Sequence, residues 1–210
     1  MVIHSILPKT ESSSMHVMRA EVPGPTVGKL VSKLRASARI LYGIYCILTL
    51  IQVILLFAGG MPLFDSVVNS FATAGTGGFG FLNSSMGSFS PYIQIVITVF
   101  MLLFSVNFSC YYLLLLRQWK GVFRDEELRL YLGVAAVTVL LIVLDIRSLY
   151  GTLEETIRHA AFQVGSIITT TGYATVDFDQ WPSFSKTILL CLMVVGASAG
   201  STGGGLKVGR

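Results

Sequence analysis

Two short runs of threonine and glycine have the residue types that coordinate a dehydrated alkali cation. Residues 76–79 read Thr-Gly-Gly-Phe and residues 170–173 read Thr-Thr-Gly-Tyr, with Gly78 and Gly172 lying 94 positions apart. Glycine lets carbonyls face a common path without a Cβ clash, and threonine hydroxyls supply further oxygens. A ring of such oxygens can replace the hydration shell of a cation. The predicted ligands are the backbone carbonyls of Thr76, Gly77, Gly78, Phe79, Thr170, Thr171, Gly172 and Tyr173.

Each run must be positioned by the segment that precedes it. Residues 63–74 and 152–168 are too short or too mixed in polarity to cross a bilayer, but they are long enough for re-entrant helices. Proline and acidic residues suit the first turn of such helices, and they stand where these segments begin: Pro62, Asp65, Glu154 and Glu155. The negative ends of the two helices then point at the Thr/Gly runs. Irregular backbone at membrane depth is tolerated only where it is packed in protein or lines a wet cavity.

The composition is that of a membrane protein. Hydrophobic residues make up 53% of the chain and charged residues 12%, and the mean hydropathy is +0.72. Four apolar stretches predict spanning helices, at 40–63, 90–116, 130–144 and 187–206. The third is the shortest, but the charged residues on both sides of it can reach the interface from a thin span. The predicted fold class is therefore an all-α polytopic membrane protein.

The net charge of +4 follows membrane topology, with no basic face for a nucleic acid. Basic residues precede the first span, separate the second from the third, and follow the fourth, so the positive-inside rule puts the N-terminus in the cytoplasm and both Thr/Gly loops outside. They are Lys29, Lys33, Arg35, Arg39, Arg117, Lys120, Arg124, Arg129, Lys207 and Arg210. Three cysteines fall within apolar stretches, which predicts small core residues: Cys46, Cys110 and Cys191.

The order of these segments indicates an internal repeat of helix, pore loop and helix. The predicted organisation is a cytoplasmic N-terminal segment at 1–37, a first repeat at 38–120 and a second repeat at 121–210. It contains four transmembrane helices and two re-entrant pore helices. The second repeat is predicted to be truncated in its last helix.

Several motifs resemble the Trk/Ktr/HKT superfamily of cation transporters, and most closely its TrkH branch. They are residues 20–25 (Ala-Glu-Val-Pro-Gly-Pro), 72–79, 169–175 and the terminal run 200–210. The last is similar to the family signature Gly-Ser-Thr-x-Gly-Gly-x-Lys. The resemblance covers nearly the whole chain from Ala20 onward.

The resemblance implies potassium transport by the pore subunit of a bacterial inner-membrane uptake system. It implies four repeats around one pore, of which those present look like the second and third, so that the pseudo-fourfold pore is incomplete. A glycine at the central filter position goes with potassium, and Gly78 and Gly172 comply. The implied cargo is K+ with no organic cofactor. When full length, the protein is implied to be a homodimer within membrane lipid that binds a cytosolic nucleotide-binding regulatory subunit of TrkA type. A non-conducting fragment, a Na+-coupled Ktr-like transporter and symport remain alternatives.

The glycine-rich run at 196–205 allows two interpretations. Small residues let transmembrane helices pack closely, whereas five glycines in ten positions each weaken a helix by about 1 kcal/mol. The second consideration favours a break in the helix, and in the family the equivalent stretch is an intramembrane loop that obstructs the pore beneath the filter. The predicted gate residues are Gly196, Gly200, Ser201, Thr202, Gly203, Gly204 and Gly205.

Other patterns suggest different chemistry. Residues 75–80 fit Gly-x-Gly-x-x-Gly, but a dinucleotide site needs a strand before it and a helix after it. His159 with Glu154 or Glu155 could indicate a membrane-embedded hydrolase or transferase. A helix-surface contact is the simpler interpretation, and neither a nucleophile motif nor a second histidine accompanies His159. Asn107, an amide within the second span, predicts either a bond between helices or contact with an ion.

Overall fold

The computed structural model describes residues 34–205, with side chains from Arg39 onward except that of Phe123. The predictions for the N-terminal segment up to residue 33 and for Lys207 and Arg210 lie outside the described residues. The described chain forms eight α-helices and one 3₁₀ turn at Phe178–Gln180. The helices are α1 (Leu34–Ala58), α2 (Leu63–Ala74), α3 (Pro91–Phe104), α4 (Phe108–Leu115), α5 (Trp119–Phe123), α6 (Glu126–Ile146), α7 (Leu153–Ile168) and α8 (Ser183–Val194).

The all-helical class is confirmed, but the four predicted spans are not all continuous helices. Within the described residues, α1 (from Arg39) and α6 are long and apolar enough to cross a membrane, with 20 and 21 residues. A third span results if α3 and α4 are counted together. In the fourth stretch, predicted at 187–206, the 12-residue helix α8 ends at Val194. The glycine-rich residues after it are not helical.

The second predicted span, at 90–116, is wrong as a single helix. Its two halves, α3 and α4, meet at an angle of 89° across residues 105–107. Asn107 is the N-cap of α4, and its Oδ1 accepts a hydrogen bond of 2.9 Å from the Ser109 amide. The Asn107 side chain therefore caps the start of α4, where the helix resumes after the break.

Helices α2 and α7 are the two predicted re-entrant helices. Residues 63–74 are predicted without error, and α7 begins one residue later than predicted. Pro62 stands at the N-cap of α2, and Thr152 caps α7 by accepting a 3.2 Å hydrogen bond from the Glu155 amide. This is the threonine half of a capping box, followed by glutamate three residues later.

Two hydrophobic clusters hold the helices, and each includes residues from the other half of the chain. The first, built on α1 to α3, includes Phe162 and Tyr173; the second, built on α6 to α8, includes Val106 and Cys110. Helix α3 also packs along α7. The two clusters therefore hold the two Thr/Gly loops next to each other. Of the cysteines, only Cys110 is a core residue as predicted, since Cys46 and Cys191 are exposed.

Asp145, at the end of α6, fixes the start of α8. Its Oδ2 accepts hydrogen bonds from the amide and the hydroxyl of Ser185, at 3.2 and 2.6 Å. A carboxylate at this position satisfies an amide without an intrahelical partner and complements the positive end of α8.

Replacement of Asp145 is expected to loosen the α6–α8 pair. Hydrogen bonds to a charged group contribute about 1.5–3 kcal/mol, so Asp145→Ala should lower the unfolding free energy by roughly that amount. Thermal unfolding in detergent micelles measures the effect. Glu154→Ala, which removes an exposed carboxylate, is the control. Equal stability of the two variants would contradict the capping role.

Candidate ion pathway

The two re-entrant helices end in the same hydrogen-bonded motif. In the first, the Thr76 amide bonds to the Thr73 carbonyl and the Gly77 amide to the Ala72 carbonyl, at 3.1 and 2.8 Å. The equivalent bonds in the second join Thr170 to Ile167 and Thr171 to Ser166, at 3.0 and 2.9 Å. This pattern is a Schellman motif, which turns the chain sharply out of a helix. Amides of both runs therefore point back at their own helix.

Threonine occupies the position in this motif that glycine usually takes. Thr76 and Thr170 have φ angles of +51° and +58°, and Gly78 and Gly172 have +62° and +88°. A β-branched residue at positive φ is a genuine outlier, with a cost of about 1–2 kcal/mol. Strain of this kind persists where the surroundings impose it and concentrates at functional sites.

The carbonyl oxygens of the two runs are largely unused by the protein. Within residues 34–205, no hydrogen bond reaches the six carbonyls of Thr76, Gly77, Gly78, Thr170, Thr171 and Gly172. The outer pair differs, because the Phe79 carbonyl accepts from the Tyr173 hydroxyl at 3.3 Å and the Tyr173 carbonyl from the Ser166 hydroxyl at 2.6 Å. Six carbonyls are thus left for a ligand, and a backbone carbonyl rarely lacks a partner in protein alone.

The two runs are direct neighbours, as two adjacent members of a ring would be. A Cβ atom on Gly78 would stand 2.0 Å from the Thr171 carbonyl oxygen and 3.2 Å from the carbonyl carbon of Gly172. The Tyr173 hydroxyl reaches across to Asn69 Oδ1 at 3.1 Å. Both runs follow the C-terminus of a short helix and neither is helical, in agreement with the predicted arrangement.

Equivalent positions of the two runs have different surroundings. Tyr173 is 1% exposed because it packs on the first loop, whereas Phe79, its counterpart, is 79% exposed. Similarly, a Cβ on Gly172 would meet no described atom within 4 Å, although one on Gly78 would clash. A Cβ atom would therefore press on a carbonyl of the neighbouring run at Gly78 but not at Gly172.

The glycine-rich segment, residues 196–205, leaves the helix and fills the break between α3 and α4. The Ser198 amide donates to the Ser105 carbonyl at 3.3 Å, and the Thr202 amide to the Phe104 carbonyl at 3.2 Å. In return, the Phe108 amide donates to the Gly200 carbonyl at 3.2 Å. Each broken element satisfies the unpaired groups of the other, which is how irregular backbone survives at membrane depth.

The same segment touches both strained threonines. The Thr76 hydroxyl donates to the Thr202 carbonyl at 3.1 Å, and the Gly204 amide donates to the Thr170 hydroxyl at 2.7 Å. The close fit depends on glycine, since a Cβ on Gly203 would stand 2.4 Å from the Cβ of Ala197. The predicted break in the helix is confirmed, and its residues lie against the end of each run that is nearest its helix.

Sequence reasoning missed one contact of this segment. Glu127, in the first turn of α6, is buried and accepts a hydrogen bond from the Ala199 amide. Acidic residues in a first turn are ordinarily explained by the helix dipole alone, so nothing local distinguishes Glu127 from Glu126. Only the fold brings residues 127 and 199 together.

His159 is buried and packs against three neighbouring side chains. Its Nδ1 lies 2.9 Å from the Thr175 hydroxyl, its ring lies 5.2 Å from that of Tyr150, and its Nε2 lies 3.9 Å from Glu155. Desolvation raises the pKa of the Tyr150 hydroxyl, which accepts a 2.9 Å hydrogen bond from the Trp181 indole. The described residues hold no cluster of metal-ligating side chains. The predicted helix-surface contact is therefore a buried one that joins α7 to the loop after it.

The dinucleotide interpretation of residues 75–80 is excluded by what precedes them. Gly75 is the C-cap of α2, so the pattern follows a helix where the motif requires a strand.

Paired re-entrant helices, each ending on unused carbonyls beside a broken helix, define a pore-loop membrane protein. The chain belongs to the TrkH family of cation transport proteins, whose family model matches residues 1–210. The Trk system potassium uptake protein TrkH of Escherichia coli is 39% identical over 98% of this chain and 44% of its own length. TrkG of the same organism is 30% identical over 97% and 43%.

Solved structures agree with this assignment. The potassium transporter TrkH from Vibrio parahaemolyticus superposes with a TM-score of 0.79 at 31% identity, covering 92% of this chain and 42% of that one. The chain thus spans a little under half the length of the relatives it matches.

Proposed function

We propose that this chain is part of the pore-forming subunit of a Trk-type potassium uptake system, and that its two Thr/Gly runs supply half of a four-part selectivity filter. The observation that carries this is the pair of equivalent runs with six unused carbonyls side by side. Relatives that match almost the whole chain are named potassium uptake proteins. Carbonyl oxygens at this density substitute for the water of a dehydrated K+.

The filter comprises Thr76 to Phe79 and Thr170 to Tyr173. The six unused carbonyls face the ion, while the outer two, already engaged by Ser166 and Tyr173, hold the mouth in shape. The exposed ring of Phe79 supports completion by a preceding repeat, because the equivalent Tyr173 packs on the loop before it. The repeats divide at residues 120 and 121.

The glycine-rich segment is the gate in this proposal. It contacts the inner threonine of each run, so a displacement there opens or closes the path without altering the central carbonyls. The gate residues are those predicted: Gly196, Gly200, Ser201, Thr202, Gly203, Gly204 and Gly205.

Membership of the TrkH family supports a proposal for the assembly. The chain is part of a bacterial inner-membrane protein, with its N-terminus in the cytoplasm and its Thr/Gly loops outside. The full-length subunit forms a homodimer that binds a cytosolic nucleotide-binding regulatory subunit of TrkA type. The basic residues of the α4–α6 connection, Arg117, Lys120 and Arg124, support a cytoplasmic position for that connection.

Rubidium flux tests the proposal. The chain is compared in liposomes with a chimera in which it replaces the matching region of the Escherichia coli relative. The chimera should carry Rb+ and K+ in preference to Na+. A chimera that folds, as judged by a monodisperse elution profile, but shows no flux would refute the assignment. If the chimera conducts and the chain alone does not, the two repeats contribute to a pore that needs the others.

A further inference from the structure

Among the acidic side chains that the structure describes, only that of Glu127 is buried. It lies in the first turn of α6, next to Glu126, which is exposed. A carboxylate withdrawn from water is expensive unless a donor satisfies it. Its side chain must therefore serve a contact that favours burial.

That contact is with the glycine-rich segment and not with the side chain's own helix. The N-terminus of α6 is already capped, because Asp125 Oδ1 accepts from the Leu128 amide at 2.8 Å. Glu127 Oε1 instead accepts from the Ala199 amide. The helix dipole alone would be served as well by an exposed carboxylate, and Glu126 provides one.

Ala199 lies at the centre of the anchored part of the segment. Its neighbour Ser198 is held by the Ser105 carbonyl, and its neighbour Gly200 by the Phe108 amide. Those two partners belong to the break between α3 and α4. Glu127 belongs instead to α6, so its hydrogen bond links the glycine-rich segment to the start of α6, directly after the α4–α6 connection.

We infer that Glu127 is a positioning residue, which holds residues 196–205 beneath the two Thr/Gly runs and couples their position to the first turn of α6. This inference rests on the proposed gate function of the segment. Without the carboxylate, the Ala199 amide loses its acceptor, and the segment moves away from Thr76 and Thr170 more often. A conformational change at the α4–α6 connection reaches the gate through this one hydrogen bond.

Three variants of the whole chain separate the hydrogen bond from charge and from general stability. Glu127→Ala removes the acceptor, Glu127→Gln keeps an acceptor oxygen at the same reach without the charge, and Glu126→Ala removes the neighbouring exposed carboxylate. Amide hydrogen exchange of the peptide covering 196–205, in detergent micelles, reports how often the segment opens. Exchange should accelerate on the order of tenfold or more in Glu127→Ala, the range for loss of a hydrogen bond to a charged group. It should stay within about twofold of wild type in Glu126→Ala and return most of the way in Glu127→Gln.

Flux supplies the second measurement. In the chimera, Glu127→Ala should raise basal rubidium flux several-fold with an unchanged preference for K+ over Na+, since the central carbonyls are untouched. If Glu127→Ala does not yield monodisperse protein, Glu127→Asp, one methylene shorter, takes its place in both measurements with the same expectation.

Unchanged exchange in the acceptor-free variant would overturn the inference, and so would equally fast exchange in Glu127→Gln. The exchange experiment does not depend on conduction. If the chimera shows no flux but Glu127→Ala accelerates exchange, the pore assignment is refuted and the positioning role of Glu127 stands. If the chimera conducts and Glu127→Ala leaves exchange normal, only the positioning role is refuted.

Discussion

Gly78→Ala is expected to abolish rubidium flux through the chimera, whereas Gly172→Ala should reduce it and retain part. The added methyl group at Gly78 stands 2.0 Å from the Thr171 carbonyl oxygen, so one of the two runs must shift. At Gly172 the methyl group meets no described atom, and the remaining penalty is the positive φ of +88°, a cost of about 1–2 kcal/mol. Gly172→Ser should likewise lower potassium uptake and reduce discrimination against sodium.

Gly43→Ala is the matched control, because its methyl group on α1 meets nothing within 4 Å. Initial rates of uptake at limiting external Rb+, with and without competing Na+, measure conduction and selectivity together. Full uptake in Gly78→Ala at an unchanged K+/Na+ ratio would show that residues 76–79 are not part of the filter. Unchanged uptake in Gly172→Ser would do the same for residues 170–173.

The re-entrant helices could be predicted closely because their signals are local. Pro62 fixes the start of α2, Thr152 and Glu155 form the cap of α7, and threonine-glycine runs end both. The recurrence of a threonine-glycine run after each of these helices also identified the candidate ligands. No distant contact was needed to recognise them.

The break between α3 and α4 could not be predicted in this way. Residues 105–107 contain neither proline nor glycine, so intrinsic propensity gives no reason for a bend of 89°. The bend is stabilised by amides of Ser198 and Thr202, which are remote in sequence. Sequence analysis therefore extended residues 90–116 as one continuous span, although the glycine-rich segment interrupts that span.

The relation between the two runs was also beyond the sequence. Gly78 and Gly172 are equivalent by motif, yet only Gly78 abuts a carbonyl of its neighbour. Phe79 and Tyr173 are equivalent aromatics, yet Tyr173 alone is buried. Such differences arise because each run has a neighbour on one side within the described chain, and a repeat pattern specifies positions without specifying neighbours.

Replacement of Gly203, Gly204 and Gly205 by alanine should change the uptake rate of the chimera and leave the K+/Na+ ratio near its original value. Methyl groups on the first two would press on Ala197 at 2.4 Å and on the Thr170 hydroxyl at 3.0 Å. The third would meet the Gly196 Cα at 2.8 Å, at a φ of +77°. The segment can no longer adopt its present path beneath the two runs, while the carbonyls of Gly78 and Gly172 are not altered.

A second variant distinguishes a gate from a packing seam. Deletion of Gly203 and Gly204 removes bulk and also removes the amide that bonds to Thr170, so the shortened segment should give a leakier pore with higher basal flux. If the glycines serve only to pack helices together, the deletion should lower stability without raising basal flux, because contacts between the broken helices are lost and no path is opened. Thermal unfolding is therefore measured beside flux. Normal conduction in the alanine variant, together with no rise in basal flux after the deletion, would assign the glycines to packing.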